Sequence, residues 1–308
     1  MYLYISHPLC KKHDNGQGHP ENMQRISAIE DQLIAQGLLD FMLMHEARRA
    51  TKEDILLVHT PELWNYLHEK QPQEGCPVVQ LDSDTALSAD SIEAALYSVG
   101  AVLDGIDALM DGSASGVFCN VRPPGHHAEV DTAMGFCLFN NAAIGAAYAL
   151  QKHALERVAV LDFDVHHGNG TESFAEIEPR LQFISSYQHG IYPFARTESD
   201  YSNIVKIPMN GGVMGDEFLQ MWQEQAWPRI RDFKPQLIII SAGFDAHFKD
   251  PLADLQLMDQ DYALWANSLH QLVDEIGHPP VLSVLEGGYS RQALATSAGA
   301  YIKAMAEF

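Results

Sequence analysis

The stretch Val158–Thr171, VAVLDFDVHHGNGT, restricts the fold of this chain more than any other segment. Val158–Val165 is apolar enough for a strand buried on both faces, as in parallel sheets covered by helices. Yet the run carries Asp162 and Asp164 and leads into His166. On a strand, residues i, i+2 and i+4 share one face, so these three side chains are expected to converge. Open α/β sheets bind ligands beyond the carboxyl ends of their strands. Carboxylates buried there are costly unless a cation holds them. The stretch therefore predicts an α/β fold with a divalent metal site.

The rest of the chain agrees with a parallel sheet. Further short apolar runs read as strands at Tyr2–Ile5, Gly116–Asn120, Leu181–Ser185, Ile204–Ile207, Leu237–Ser241 and Val281–Leu285. Helical periodicity marks Ser91–Met110, Asn140–Ala154, Asp216–Asp232, Asp259–Ile276 and Arg291–Ala306. Strand and helix alternate, which predicts a mainly parallel central sheet flanked by helices on both faces. Gln71–Pro77 reads as a loop, and no linker or repeat divides residues 1–308, so a single domain is expected. The 46% hydrophobic content supplies a sizeable core.

Composition also removes several functions. No apolar run is long enough for a bilayer span, and the N-terminus lacks a secretory leader. The four cysteines, Cys10, Cys76, Cys119 and Cys137, show no paired spacing and read as reduced thiols of a cytoplasmic protein. A formal charge of −22 argues against direct nucleic-acid binding. It favours cationic substrates or basic peptides instead.

Each strand-like run delivers polar residues at its carboxyl end. Arg122-Pro-Pro-Gly-His126-His127 follows one, Phe244-Asp245-Ala-His247 another, and Glu286-Gly287-Gly288-Tyr289 a third. Asp245 is the natural third ligand beside Asp164 and His166. Three protein ligands leave room for water and substrate, the catalytic arrangement for zinc; a mixed oxygen and nitrogen set also admits Fe²⁺, Co²⁺ or Mn²⁺. His126 and His127 can divide general base and general acid work, with Asp162 orienting one ring and Asn169 the other. His126 is expected to act on water and His127 on the departing amine. Tyr289, presented by the Gly287-Gly288 pair, can donate to a developing oxyanion. Gly135 and Phe136, with Phe139 nearby, suit an apolar channel.

Taken together, RPPGHHA (Arg122–Ala128), GFCLFNN (Gly135–Asn141), DFDVHHGNGT (Asp162–Thr171), SAGFDAHFKDP (Ser241–Pro251) and LEGGY (Leu285–Tyr289) resemble the motifs of the histone deacetylase superfamily. GHPE (Gly18–Glu21) is similar to the family's entry segment. The ordered set spans essentially the whole chain and looks most like the class II branch and its bacterial deacetylase-like amidohydrolases. The resemblance implies an arginase-like α/β fold and one Zn²⁺ on Asp164, His166 and Asp245. It assigns proton transfer to His126 and His127 and the substrate carbonyl to Tyr289. It also implies a channel flanked by Phe136 and Tyr192, lined in part by Gly135 and Gly287, with Asp82 or Asp84 gripping substrate at the rim.

A structural K⁺ is implied on Asp162, Ser185 and the carbonyls of Asp164 and His166, and Arg25 matches an internal-pocket arginine. Asn169 stands where the class I branch has an aspartate, which makes the partner of His127 neutral. Tyr289 stands where some weakly active class II members carry histidine. Gly168 and His247 replace the second-metal ligands of arginases, so a binuclear centre is not expected. The implied substrate is an acylated lysine peptide or protein, with an acylated polyamine as the alternative. No membrane or nucleic acid partner is implied, and self-association as a homo-oligomer is left open.

Overall fold

In the computed structural model, which describes residues 1–307, the strands are β1 (Tyr2–Ser6), β2 (Leu43–Glu46), β3 (Val79–Gln80), β4 (Ala86–Leu87), β5 (Gly116–Cys119), β6 (Val158–Asp162), β7 (Leu181–Gln188), β8 (Ile204–Met209), β9 (Leu237–Ala242) and β10 (Val281–Leu285). The α-helices are α1 (Gln24–Ala35), α2 (Lys52–Ile55), α3 (Pro61–Lys70), α4 (Ser91–Met110), α5 (Asn141–Lys152), α6 (Asn169–Ala175), α7 (Gly215–Met221), α8 (Trp227–Phe233), α9 (Asp259–Glu275) and α10 (Arg291–Met305). Eight strands form one sheet in the order β2-β1-β5-β10-β9-β6-β7-β8. Every pair in it is parallel. The short β3 and β4 pair antiparallel on their own.

Side-chain alternation sorts this sheet into two cores. Val158, Val160, Ile239 and Val117 pack with Val99 and Leu103 of α4 and Ile144 of α5. Ala159, Leu161, Ile238 and Ile240 pack on the other face with Ile29 of α1, Leu269 of α9 and Tyr301 of α10. Full burial of such a side chain contributes roughly 1.5–3 kcal/mol. A one-residue slip of β6 would exchange its two sides, so the register is strongly specified. Thr60 caps α3 by accepting from the Leu63 N–H, and Asn140 caps α5 by accepting from the Ala143 N–H.

Several elements differ from the sequence reading. Strand β6 ends at Asp162 instead of Val165. Past that point the Phe163 N–H still reaches Ser241 O of β9, but the next two N–H groups turn to carboxylates: the Asp164 N–H donates to Asp162 Oδ1 and the Val165 N–H to Asp245 Oδ1. The helix expected over Asp216–Asp232 is divided into α7, a π-helical turn at Trp222–Ala226 and α8. Pro228 in the first turn of α8 has no N–H for the ladder, and the Trp227 N–H reaches back to Trp222 O. Strand β2 and helices α1 and α3 were not among the expected elements. All four residues of β2 are exposed, and only Leu43 and Met44 of them belong to the short apolar run Phe41–Met44.

Candidate active site

The four strands whose ends carry the conspicuous motifs, β5, β10, β9 and β6, are consecutive neighbours at the sheet centre. Parallel pairing brings all their carboxyl ends to one edge. Loops that are far apart in sequence therefore meet there.

Asp164, His166 and Asp245 are buried and place one ligating atom each within 4.8 Å of the others. Among the described residues this is the one such group of three. His166 Nδ1 lies 3.1 Å from Asp164 Oδ1 and 3.1 Å from Asp245 Oδ2. Burial opposes charge on the His166 ring, but its bonds to the two carboxylates overcome this and push its pKa up to about 10. Burial and the Asp164 charge push Asp245 upward. Two acids crowded against one imidazole fit a small dication, which would neutralise both and displace the ring proton. His247 is engaged elsewhere, 3.2 Å from Asp259 Oδ1.

Asp162 departs from the convergence expected of a regular strand. The chain curls after β6, and Asp162 Oδ2 meets His126 Nδ1 at 2.9 Å. His127 Nδ1 meets Asn169 Oδ1 at 2.7 Å. Both orienting pairs therefore form as expected. Burial disfavours charge on both rings, yet Asp162 and Asp164 raise His126 well above the ordinary histidine range. For His127, burial and the neighbouring His126 and His166 act together and lower it well below that range. The two rings, 4.0 Å apart between centroids, are thus electrostatically unlike.

Over the triad opens a cavity of about 220 Å³, whose lining includes Asp84, His127, Gly135, Phe136, His166, Tyr192 and Tyr289. The Phe136 ring stands edge-on to Tyr289 at 5.7 Å, and Tyr192 stands edge-on to His127 at 5.0 Å. Burial raises the Tyr289 phenol well above 10 although Arg25 opposes it, so it remains a donor at neutral pH. Gly135 has φ +58°, and a Cβ there would lie 2.5 Å from the His127 ring. Ile191 and Leu252 also line the cavity; nothing in the apolar pattern distinguished them from ordinary loop residues.

The two rim candidates differ in placement. Asp84 borders the cavity, whereas exposed Asp82 turns its Oδ1 to the backbone N–H groups of Asp84 and Thr85, at 2.9 and 2.6 Å. Gly287 corrects the expectation of a channel residue. Its N–H donates to Asp164 Oδ2 at 2.8 Å, and a Cβ would fall 2.1 Å from Asp245 Oδ2. It contacts both ligating carboxylates and is not among the residues that line the cavity. Phe139 is likewise not a channel residue: it is buried and stacks on Trp64. Ser185 lies beside Asp162 in the β6–β7 register, and its hydroxyl meets His167 Nδ1 at 3.0 Å.

Several supporting residues escaped sequence reasoning although each sits inside a recognisable motif. Glu286 accepts from the Gly125 and His126 N–H groups at 2.7 and 3.1 Å, pinning the histidine loop. Asp250 Oδ2 accepts from the Tyr289 and Ser290 N–H groups, and its Oδ1 accepts from the Leu252 N–H. Glu21 takes a two-pronged contact from Arg122, at 2.5 and 2.6 Å, and one from Arg25 at 3.1 Å. Arg25 also donates to the Gly288 and Glu286 carbonyls and lies 5.1 Å from the Tyr289 ring centroid. The expected internal arginine is therefore placed beneath the tyrosine loop. Buried acids carry no apolar signature, so only the motif context marks them.

The arrangement places groups able to hold a cation, to exchange protons and to donate to an oxyanion around one cavity. A family model described as the histone deacetylase domain matches residues 19–305. The probable deacetylase of Archaeoglobus fulgidus is 33% identical over 99% of this chain and 86% of its own length. The human polyamine deacetylase HDAC10 is 35% identical over 92% of this chain, which spans 44% of that protein. The crystal structure of the HDA15 HD domain superposes with a TM-score of 0.91 at 32% identity, covering 99% of this chain and 89% of that one. The chain belongs to the histone deacetylase family.

Proposed function

We propose that this enzyme removes acetyl or other short acyl groups from the Nε amine of lysine in proteins or peptides, with one Zn²⁺ on Asp164, His166 and Asp245. The observation that carries the reading is the walled cavity itself. Phe136, Tyr192, Ile191 and Leu252 give it apolar sides, a single carboxylate, Asp84, borders it, and His127, His166 and Tyr289 also line it. An acyl-lysine offers a matching apolar stem ending in a neutral amide.

When bound, the zinc ion would polarise the amide carbonyl and acidify water. The remaining work falls to side chains. Tyr289, kept protonated, donates to the carbonyl oxygen as negative charge grows on it. His127 leans on a neutral amide oxygen through Nδ1, which leaves Nε2 free to take a proton from water and return it to the amine. His126, paired with Asp162, keeps a fixed positive charge near the reacting carbonyl. This moves the base role expected of His126 to His127, which keeps its expected role toward the amine, because the partners of the two rings differ in charge.

The alternative is deacetylation of small polyamines. The net charge of −22 and the similarity to a polyamine deacetylase favour it. The single carboxylate bordering the cavity does not. Comparing kcat/KM for acetyl-lysine peptides and for acetylspermidine or acetylputrescine decides the matter. The proposal expects the peptides to win; a clear polyamine preference overturns it. Tyr289→Phe should keep fold and metal while losing about 10²–10³ in kcat. Activity like that of the native enzyme would remove the oxyanion role.

A further inference from the structure

The amide of Asn169 is a symmetrical-looking group with an unsymmetrical task. Its Oδ1 must face His127 if the ring is to carry its proton on Nδ1 and keep Nε2 free. A carboxylate in this place would accept from the ring through either oxygen. An amide can fail: turned over, it would present N–H₂ to the ring and force the other tautomer. Something must therefore hold the amide one way round.

Three acceptors surround its Nδ2. Glu129 Oε1 lies at 2.7 Å, the His127 carbonyl at 3.4 Å and Met134 Sδ at 3.4 Å. The last two are long contacts, whereas a charged acceptor at 2.7 Å forms the strong kind of hydrogen bond. Glu129 sits two residues beyond His127 in the same loop. That loop is anchored from behind, because His59 Nδ1 meets the Glu129 carbonyl at 2.9 Å.

We propose that Glu129 is a positioning residue: its carboxylate locks the Asn169 amide, and through it the Nδ1–H tautomer of His127. The chain Glu129–Asn169–His127 does with a neutral middle group what a direct carboxylate would do. It orients the ring without adding a full negative charge against it. Glu129 touches neither the cavity nor the triad. This inference rests on the proposed role of His127 as the base, but its structural half can be read without turnover.

The first readout is ring nitrogen chemical shifts in ¹⁵N-histidine protein, with His127 assigned by its loss in His127→Gln. The native enzyme should show a protonated Nδ1 and a bare Nε2, and Glu129→Ala should show a mixture of tautomers. In steady-state assays Glu129→Ala should lower kcat on the order of 10-fold with little change in KM, a fraction of what a general base contributes. Glu129→Gln, whose amide oxygen still accepts from Asn169, should recover most of that loss. In an Asn169→Asp background, removing Glu129 should cost nothing or raise kcat, because a carboxylate needs no orienting and the two like charges part.

An equal loss from Glu129→Ala in both backgrounds overturns the proposal, as does an unchanged His127 tautomer in Glu129→Ala. If the native enzyme hydrolyses no acyl amide, the functional reading fails, yet the tautomer measurement still decides the role of Glu129.

Discussion

At Gly135 the backbone is left-handed and His127 lies where a side chain would begin. Both facts demand glycine, and both bear on one catalytic ring. Left-handed backbone at a non-glycine residue costs about 1–2 kcal/mol, and the methyl group would also displace the imidazole. Gly135→Ala should therefore lower the denaturation midpoint modestly while cutting kcat at least about 10-fold, since small misplacements are strongly felt at a reacting centre. A variant with native kcat would show that the ring tolerates the shift. The motifs identified His126, His127, Asp164, His166, Asp245 and Tyr289 because chemistry-bearing residues at strand ends stand out from an apolar background. Asp162 and Asn169 were readable as the groups that orient the two rings, but Glu129 was not, because its contact with Asn169 joins residues 40 positions apart.

Among the elements, the four central strands were readable as apolar runs, and their adjacency explains why scattered motifs form one site. The exposed edge strand β2 was missed because only its first two residues are apolar and the last two, His45 and Glu46, are polar. The end of β6 was misjudged because the Asp164 and Val165 N–H groups bond side-chain carboxylates and leave the strand ladder. The same device recurs at Asp250, which holds the loops bearing Tyr289 and Leu252 through three N–H groups. Burial and the charge of Asp245 raise Asp250 to about 7. Asp250→Ala leaves three part-buried N–H groups without their carboxylate acceptor, at up to about 1 kcal/mol each. Its thermal midpoint should fall, and kcat should fall with KM rising, because one clamp serves both the phenol and the cavity wall. Loss of stability alone, with unaltered kinetics, would deny Asp250 any role in shaping the site.

For the molecule as a whole, acid stability follows from groups buried beneath the site. Glu21 is fully buried; burial would raise it, but Arg122 and Arg25 hold it down to about 2 from 4.5. Its folded pKa lies below the unfolded one, so its contribution is complete above about pH 4.5 and vanishes as pH falls toward 2. That contribution is on the order of 3 kcal/mol. His59 is held neutral: burial lowers it to about 4 from 6.5, and its Nε2 accepts from the Asn140 N–H at 2.8 Å. The unfolded chain takes up this proton first, so stability also declines as pH drops from about 6.5 to 4. Urea melts across pH should show both steps. Glu21→Gln should remove the lower one and weaken the fold at neutral pH by about 3–5 kcal/mol, since it breaks a buried ion pair. A lower step that survives in Glu21→Gln would assign it to another group.

The most direct test of the proposed chemistry is metal content after loading with zinc and removal of excess, on the native enzyme beside Asp164→Ala and the isosteric Asp245→Asn. Folded native enzyme should retain a single zinc ion per chain, and both variants, with secondary structure intact by circular dichroism, should retain none. Stoichiometric zinc in either variant, or a native enzyme that cannot be loaded with any divalent ion, would contradict the account.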